Sequence, residues 1–262
     1  METNIIYNED CLVTMRQRID KGSVNVILTS PPYNTGRKVT NERARRNHEA
    51  RYDAYTDGMT NDSYDDFTVE LFNNYGTILA RNGVVLYNIS YGTENPTNMW
   101  TCIAEVCIRT DFTIADVIVW KKRSALPNNV SPNKLTRICE FVFVLCRKEE
   151  YNTFNMNKGE AEKRSSNGQM MYRNVYNFIE SPNNDGSTIL NKATFSSVFV
   201  RKLLAMYAKT GDIVYDSFMG TGTTAIGCIR GGYKFIGSEI SKEQYEYSLK
   251  RIKDEQQQLT LF

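Results

Sequence analysis

Residues 211–228 read Gly-Asp-Ile-Val-Tyr-Asp-Ser-Phe-Met-Gly-Thr-Gly-Thr-Thr-Ala-Ile-Gly-Cys. An apolar strand, Ile213 to Asp216, enters a Gly220-x-Gly222 turn, and a helix is expected from about Thr223. Glycines let the backbone turn sharply and let a ligand approach closely. The free N–H groups of a helix start favour electron-rich ligand atoms. A second short strand, Phe235 to Ser238, ends at Glu239, where a carboxylate can accept from ribose hydroxyls. Gly220-x-Gly222-x-x-Ala225 also fits the dinucleotide fingerprint. That fingerprint is followed by several βα units, yet only 23 residues come after Glu239. Earlier strands must complete the sheet, so the nucleotide half lies at the C-terminus.

The other half is signalled at the N-terminus. The apolar run Val24 to Leu28 leads into Thr29, Ser30, Pro31, Pro32, Tyr33 and Asn34. Consecutive prolines stop the strand and hold φ near about −65°. They carry no N–H, so their carbonyls are expected to be open to an outside donor. With the Ser30 oxygen and the flat face of Tyr33 they form a slot suited to a planar group bearing an exocyclic NH₂.

Strand signals fall at 24–29, 83–89, 112–120, 139–146, 212–216 and 233–237, and helical signals at 63–80, 97–108, 197–209, 222–231 and 241–257. This alternation predicts an α/β fold: a single doubly wound, mostly parallel sheet with helices on both faces. The whole chain, 1–262, reads as one domain, and 41% hydrophobic residues suffice for its core. No apolar stretch approaches a membrane span, and no leader is apparent at Met1. Six cysteines without a Cys-x-x-Cys pair suggest reduced thiols in a cytoplasmic protein. With one histidine, His48, no metal site is expected.

The net charge is only +2, so the distribution of charge matters more than its sum. Residues 36–51 hold six basic side chains (Arg37, Lys38, Arg43, Arg45, Arg46 and Arg51) against two acidic ones. Directly after the slot, a basic loop over 35–60 is expected to be mobile and to contact phosphates. Lys121 and Lys122 form a second basic cluster, also expected to contact DNA. The stretch 149–190 breaks the periodicity: it is polar, rich in Asn and Ser, and dotted with aromatic residues.

Ser30-Pro31-Pro32-Tyr33 followed by the Gly-x-Gly turn resembles the DNA amino-methyltransferases that use S-adenosylmethionine. The permuted order is that of their beta subgroup, with its Rossmann-like methyltransferase fold. Their catalytic motif, Asp/Asn/Ser-Pro-Pro-aromatic, is similar to residues 30–33. Their cofactor motif, Asp-Pro-Phe-x-Gly-Ser/Thr-Gly-Thr-Thr, resembles Asp216 to Thr224, with Ser217 in place of proline. Asp10, in Ile5-Ile6-Tyr7-Asn8-Glu9-Asp10-Cys11-Leu12, takes an acidic position of the family, and Glu239 another. Val117 to Lys122 looks like a strand ending in Trp-x-Lys, and Arg137-Ile138-Cys139-Glu140 looks like Arg…His-Glu with Cys139 at the histidine. Residues 191–196 share only Ala193 and Phe195 with the family's His-Pro-Ala-x-Phe-Pro.

The resemblance spans roughly residues 4–148 and 190–255. It implies catalysis by Ser30, Pro31, Pro32 and Tyr33. It implies S-adenosylmethionine bound by Asp10, Asp216, Phe218, Gly220, Gly222, Thr223, Thr224 and Glu239. It implies double-stranded DNA as partner, with 149–190 as a target-recognition insertion, and it leaves room for a homodimer and for a restriction endonuclease partner.

An exocyclic amino nitrogen is a poor nucleophile because its lone pair is delocalised into the ring. The Ser30 hydroxyl and Pro31 carbonyl can hold both amino hydrogens and draw the nitrogen toward sp³ geometry. The base must leave the stack to be reached, with Tyr33 as stacking partner. Ser30 can also give its proton to a ring nitrogen. In the related enzymes Ser-Pro-Pro-Tyr goes mostly with cytosine N4 and Asp-Pro-Pro-Tyr with adenine N6, though Tyr-Asn-Thr-Gly after the slot is also common among adenine enzymes. Cytosine N4 is the expectation and adenine N6 the alternative. The chain has no Pro-Cys, which argues against C5-cytosine chemistry. An RNA or protein-amide methyltransferase and a non-catalytic DNA binder are rivals. A nicotinamide oxidoreductase would leave the proline slot unexplained.

Overall fold

The computed structural model describes residues 1–34, 58–92, 94–124, 131–186 and 194–259. The chain opens with β1 (Ile5–Tyr7), α1 (Cys11–Gln17) and β2 (Val24–Thr29). Then come α2 (Asn61–Ile78), β3 (Leu79–Ile89), α3 (Asn98–Arg109), β4 (Phe112–Lys122) and β5 (Cys139–Arg147). A two-stranded hairpin of β6 (Lys163–Arg164) and β7 (Met170–Met171) precedes β8 (Phe178–Ser181). The C-terminal half is α4 (Ser197–Tyr207), β9 (Ile213–Asp216), α5 (Thr223–Gly231), β10 (Lys234–Ser238) and α6 (Lys242–Leu259).

The predicted alternation is present, with β1, α1, β8 and the β6–β7 hairpin in addition. Three residues of β1 and seven of α1 are too short for a period to show. Asp10 starts α1 by accepting the Leu12 N–H at 2.7 Å, and Thr60 starts α2 by accepting the Ser63 N–H at 3.2 Å.

Eight strands form one sheet in the order β1-β10-β9-β2-β3-β5-β4-β8. All pairings are parallel except those of β5, which runs against both β3 and β4. Side chains alternate across the sheet. Val26, Leu28, Val84 and Leu86 meet Trp120, Phe199 and Leu203 on one face. Ile27, Val85 and Tyr87 meet Phe72, Tyr75 and Met99 on the other. The halves join where β2 pairs with β9, Val26 beside Val214 and Ile27 beside Tyr215. The loops leaving β2 and β9 therefore lie side by side at the carboxyl ends of adjacent strands, where open α/β sheets bind ligands.

The stretch 149–190 divides in two. Its first part is anchored at the opposite end of the sheet from those loops. There the Asn155 N–H donates to Asn82 O at 2.8 Å and the Asn157 N–H to Met206 O at 2.6 Å, while Phe154 and Met156 pack on the core. The hairpin grows from this anchor, with Arg173 Nη2 donating to Asn157 O at 3.3 Å. The chain then rises as β8 beside β4, ending with Ser181 opposite Lys122. Among the described residues of this stretch, only the segment from β8 to Gly186 reaches the slot end. Among the described residues, no helix is long and apolar enough to cross a membrane. All six cysteines are free thiols.

Candidate active site

The slot sits at the end of β2. Pro31 is buried, and Ser30, Pro32 and Tyr33 are half-buried. The expectation of two open proline carbonyls needs correction: Tyr64 Oη, from α2, donates to Pro32 O at 2.7 Å. Among the described residues no hydrogen bond reaches Pro31 O; it forms the acceptor pair of the slot with Ser30 Oγ, which keeps one lone pair beyond its contacts with Asn88 and Tyr33. Asn34 then turns the chain in the left-handed region at φ 49°, a conformation that asparagine tolerates. Its buried amide accepts the Gly58 N–H at 3.2 Å and donates to Met59 O at 3.1 Å. Asn95 Nδ2 donates to Asn34 O at 3.1 Å.

Behind the slot lies a polar cluster whose contacts the sequence did not show, centred on Asn88, which no motif announced. Asn88, near the end of β3 and 1% exposed, aims its amide nitrogen at Tyr33 Oη (2.7 Å), Glu140 Oε2 (3.2 Å) and Ser30 Oγ (3.3 Å). Ser30 Oγ and Tyr33 Oη are 3.0 Å apart, and Tyr33 Oη is 3.1 Å from Glu140 Oε2. Lys122 Nζ closes the cluster on Glu140 Oε1 and lies 4.9 Å from the centre of the Trp120 ring. Lys122, expected on DNA, is thus tied into the slot. Lys121 Nζ pairs with Glu180 Oε2 at 2.8 Å on the surface.

The half that carries the glycine turn is built around Asp216. Its carboxylate, 1% exposed, accepts from Thr29 Oγ1 (2.8 Å), the Phe218 N–H (3.0 Å) and Thr224 Oγ1 (2.5 Å). Burial pushes its pKa up to about 6 against the lowering effect of those donors. Asp216, expected to bind cofactor, therefore turns inward and ties the ends of β2 and β9 to the start of α5. Ser217, in the place of a proline, bonds Tyr75 Oη at 2.5 Å and donates to Thr29 Oγ1 at 3.1 Å. That explains a serine here: it is a buried link between α2 and the turn.

The turn itself is a glycine cradle, with φ 55° at Gly220 and 83° at Gly222. Glu239 closes one side of it, accepting the Gly220 N–H at 2.6 Å and the Ser241 N–H at 2.8 Å. Asn8 Nδ2 donates to Glu239 O at 2.7 Å, bringing the segment that carries the exposed Asp10 carboxylate beside it. Phe218, half-buried, lies 6.3 Å from the ring of Phe67. Thr223 and Thr224 are buried in the first turn of α5. From α6, Arg251 Nη1 donates to Thr221 O (2.8 Å) and Thr223 Oγ1 (3.2 Å), and Nη2 to Asp185 Oδ2 (3.1 Å). No motif announced Arg251 or Asp185. Arg37, Lys38, Arg43, Arg45, Arg46 and Arg51 lie outside the described residues.

An open, mostly parallel sheet with a glycine turn and an acceptor slot on adjacent strands is the architecture of enzymes that bring a nucleoside cofactor to a second substrate. The N6_N4_Mtase family, described as DNA methylase, matches residues 24–250. The chain belongs to that family; it is an S-adenosylmethionine-dependent DNA amino-methyltransferase. It is similar to type II methyltransferase M.Cfr9I of Citrobacter freundii, 30% identical over 138 residues, which are 53% of this chain and 44% of that protein. It is similar to DNA adenine methyltransferase YhdJ of Escherichia coli strain K12, 26% identical over 268 residues, covering 96% of this chain and 83% of that one. Its fold is like that of the PvuII DNA methyltransferase, named cytosine-N4-specific, with TM-score 0.72 at 16% identity over 97% of this chain and 92% of the other.

Proposed function

We propose that this enzyme methylates cytosine N4 at a specific sequence of double-stranded DNA, after flipping the base into the slot of Ser30 to Tyr33. The observation that carries the reading is the acceptor pair, Ser30 Oγ and Pro31 O, beside the Tyr33 ring and one strand away from the glycine turn. S-adenosylmethionine supplies an electrophilic methyl group. The residues present suit it: the glycine turn stands at the carboxyl end of β9, and Asp10 and Glu239 beside it supply carboxylates for hydroxyl or amine donors. Ser30 and Pro31 accept the two amino hydrogens, and Tyr33 covers the base. As the N–C bond forms, the methyl–sulfur bond breaks with its electron pair going to sulfur, and the amino nitrogen gives up one proton, which leaves along the direction these acceptors set to water. No side chain needs to bond covalently to the base.

Ser30 at the first slot position supports cytosine, because resembling enzymes with serine here act mostly on that atom. Adenine N6 is the second reading, favoured by the likeness to an enzyme named as an adenine methyltransferase over 96% of this chain. The segment from β8 to Gly186 is the part of 149–190 proposed to meet target DNA, since among the described residues of that stretch it alone reaches the slot end. The basic stretch 36–51 is proposed to hold phosphates. The test is mass spectrometry of nucleosides from plasmid DNA treated with the enzyme and labelled cofactor. N4-methylcytosine is the expected product. N6-methyladenine would overturn the base assignment, and C5-methylcytosine the amino-transfer mechanism.

A further inference from the structure

We infer that Glu140, acting through the Tyr33 phenol and helped by Asn88, sets the direction of the Ser30 hydroxyl, so that Ser30 meets the target amino group as an acceptor only. Glu140 and Asn88 are then positioning residues for methyl transfer. The inference rests on the reading of Ser30 to Tyr33 as the amino-group slot.

One group in the cluster cannot donate, because an ionised carboxylate only accepts. Glu140 Oε1 is held by Lys122, and Oε2 lies 3.1 Å from Tyr33 Oη. If Tyr33 turned its hydrogen elsewhere, lone pairs of phenol and carboxylate would face each other across that distance. The phenol therefore donates to Glu140, and its own oxygen is left to accept. Ser30 Oγ, 3.0 Å from that oxygen, is its hydroxyl donor.

Asn88 works in the same sense. An amide oxygen would not face a carboxylate at 3.2 Å, so the atom pointing at Glu140 is Nδ2. The same nitrogen is 2.7 Å from Tyr33 Oη, again a donor to the phenol oxygen. Asn88 Oδ1 is buried with no hydrogen-bond partner among the described residues. Leaving such an atom unpaired is unfavourable, and here it accompanies both amide hydrogens being aimed at the slot. The expected donation from Ser30 to a ring nitrogen is thereby replaced: the Ser30 hydrogen points to Tyr33, and a free lone pair points out. A serine held this way offers the base an acceptor whose direction does not fluctuate, which is preorganisation without a charge.

Single-turnover methylation of plasmid DNA, with enzyme in excess over sites, tests this. Tyr33→Phe keeps the stacking ring but removes the link, and Glu140→Gln replaces the acceptor-only carboxylate by an amide that can also donate to the phenol. Each is expected to slow the single-turnover rate by roughly tenfold to a hundredfold. Binding of S-adenosylmethionine by calorimetry and of DNA by anisotropy should stay within about twofold, because the effect appears only as the amino group is drawn up. The double variant should be no slower than the slower single one, since both act through one hydrogen. Multiplying losses, or cofactor and DNA affinity falling in step with the rate, would overturn the inference. If Glu140→Gln fails to fold, Tyr33→Phe decides alone, and a wild-type rate in it overturns the inference. Ser30→Ala separates the levels. A wild-type rate there defeats the slot reading itself. A slow Ser30→Ala beside fast Tyr33→Phe and Glu140→Gln defeats only the role of Glu140.

Discussion

Asp216 holds a carboxylate where water hardly reaches, and its pKa near 6 records the cost of ionising there. The sign follows from linkage. An acid whose pKa is raised on folding is favoured in its protonated form by the native state. Its contribution to stability is complete below the unfolded value near 3.8 and is lost as pH rises through 6. Asp216→Asn removes this titration and keeps an acceptor for the Phe218 N–H. Urea melts from pH 4 to pH 7 should show wild type losing stability relative to the variant, by at most about 3 kcal/mol. A constant difference across that range would mean that Asp216 does not titrate there. Gly222 behaves differently from its place in the motif. A Cβ there would lie 3.0 Å from Ser248 Cβ of α6, on backbone at φ 83°. A larger residue at 222 would therefore strain the fold before it met a ligand.

Helix α6 shows how one element serves another's loop. Arg251, on one face of that helix, grips the Thr221 carbonyl inside the glycine turn and reaches Asp185 after β8. Asp185 in turn accepts the Ser197 N–H at 2.8 Å at the start of α4. The glycine turn and the segment beside the slot are thus linked by one guanidinium, largely shielded from water. Charged hydrogen bonds of this kind are stronger than exposed pairs such as Lys121–Glu180. Arg251→Met is expected to weaken S-adenosylmethionine binding roughly tenfold by calorimetry. Arg251→Lys should restore only part of that affinity, because an ammonium cannot span the fork. Unchanged affinity in Arg251→Met would remove the helix from the cofactor site.

On the scale of the whole molecule, a net charge of +2 means that attraction to DNA depends on where charge is placed. Lys122 is engaged inside the slot and Lys121 by Glu180, while the basic stretch 36–51 is the part of the chain proposed for phosphate contact. Removing Arg45 and Arg46 together should weaken binding to all DNA sequences alike and lower the salt slope by about one unit per lost contact. A loss confined to one sequence would show base reading instead, and binding titrations against salt distinguish the two. The polar stretch 149–190 is less uniform than its composition suggests. Its hairpin is rooted where Asn157 meets the end of α4, and β8 carries the chain to the other end of the sheet.

Residue order and spacing were enough to establish the sheet, its permuted halves, the slot and the glycine turn. Each of these is a local signal: a strand meeting prolines, or a strand meeting Gly-x-Gly and then a helix. The same local logic hid β1 and α1, which are too short to show a period. It also failed for every residue whose role lies in a partner far along the chain. Tyr64 closes the Pro32 carbonyl from 32 residues away, and Glu140 reaches Tyr33 from 107. Asn88 looks like an ordinary polar end to an apolar strand. Asp216 reads as a ligand-facing acid until Thr29, 187 residues distant, is found donating to it. The positions of such groups depend on which strands become neighbours and how their ends align. Pairing β2 with β9, and β5 between β3 and β4, decided that, because hydrogen-bond partners across a sheet are set by register and not by distance along the chain.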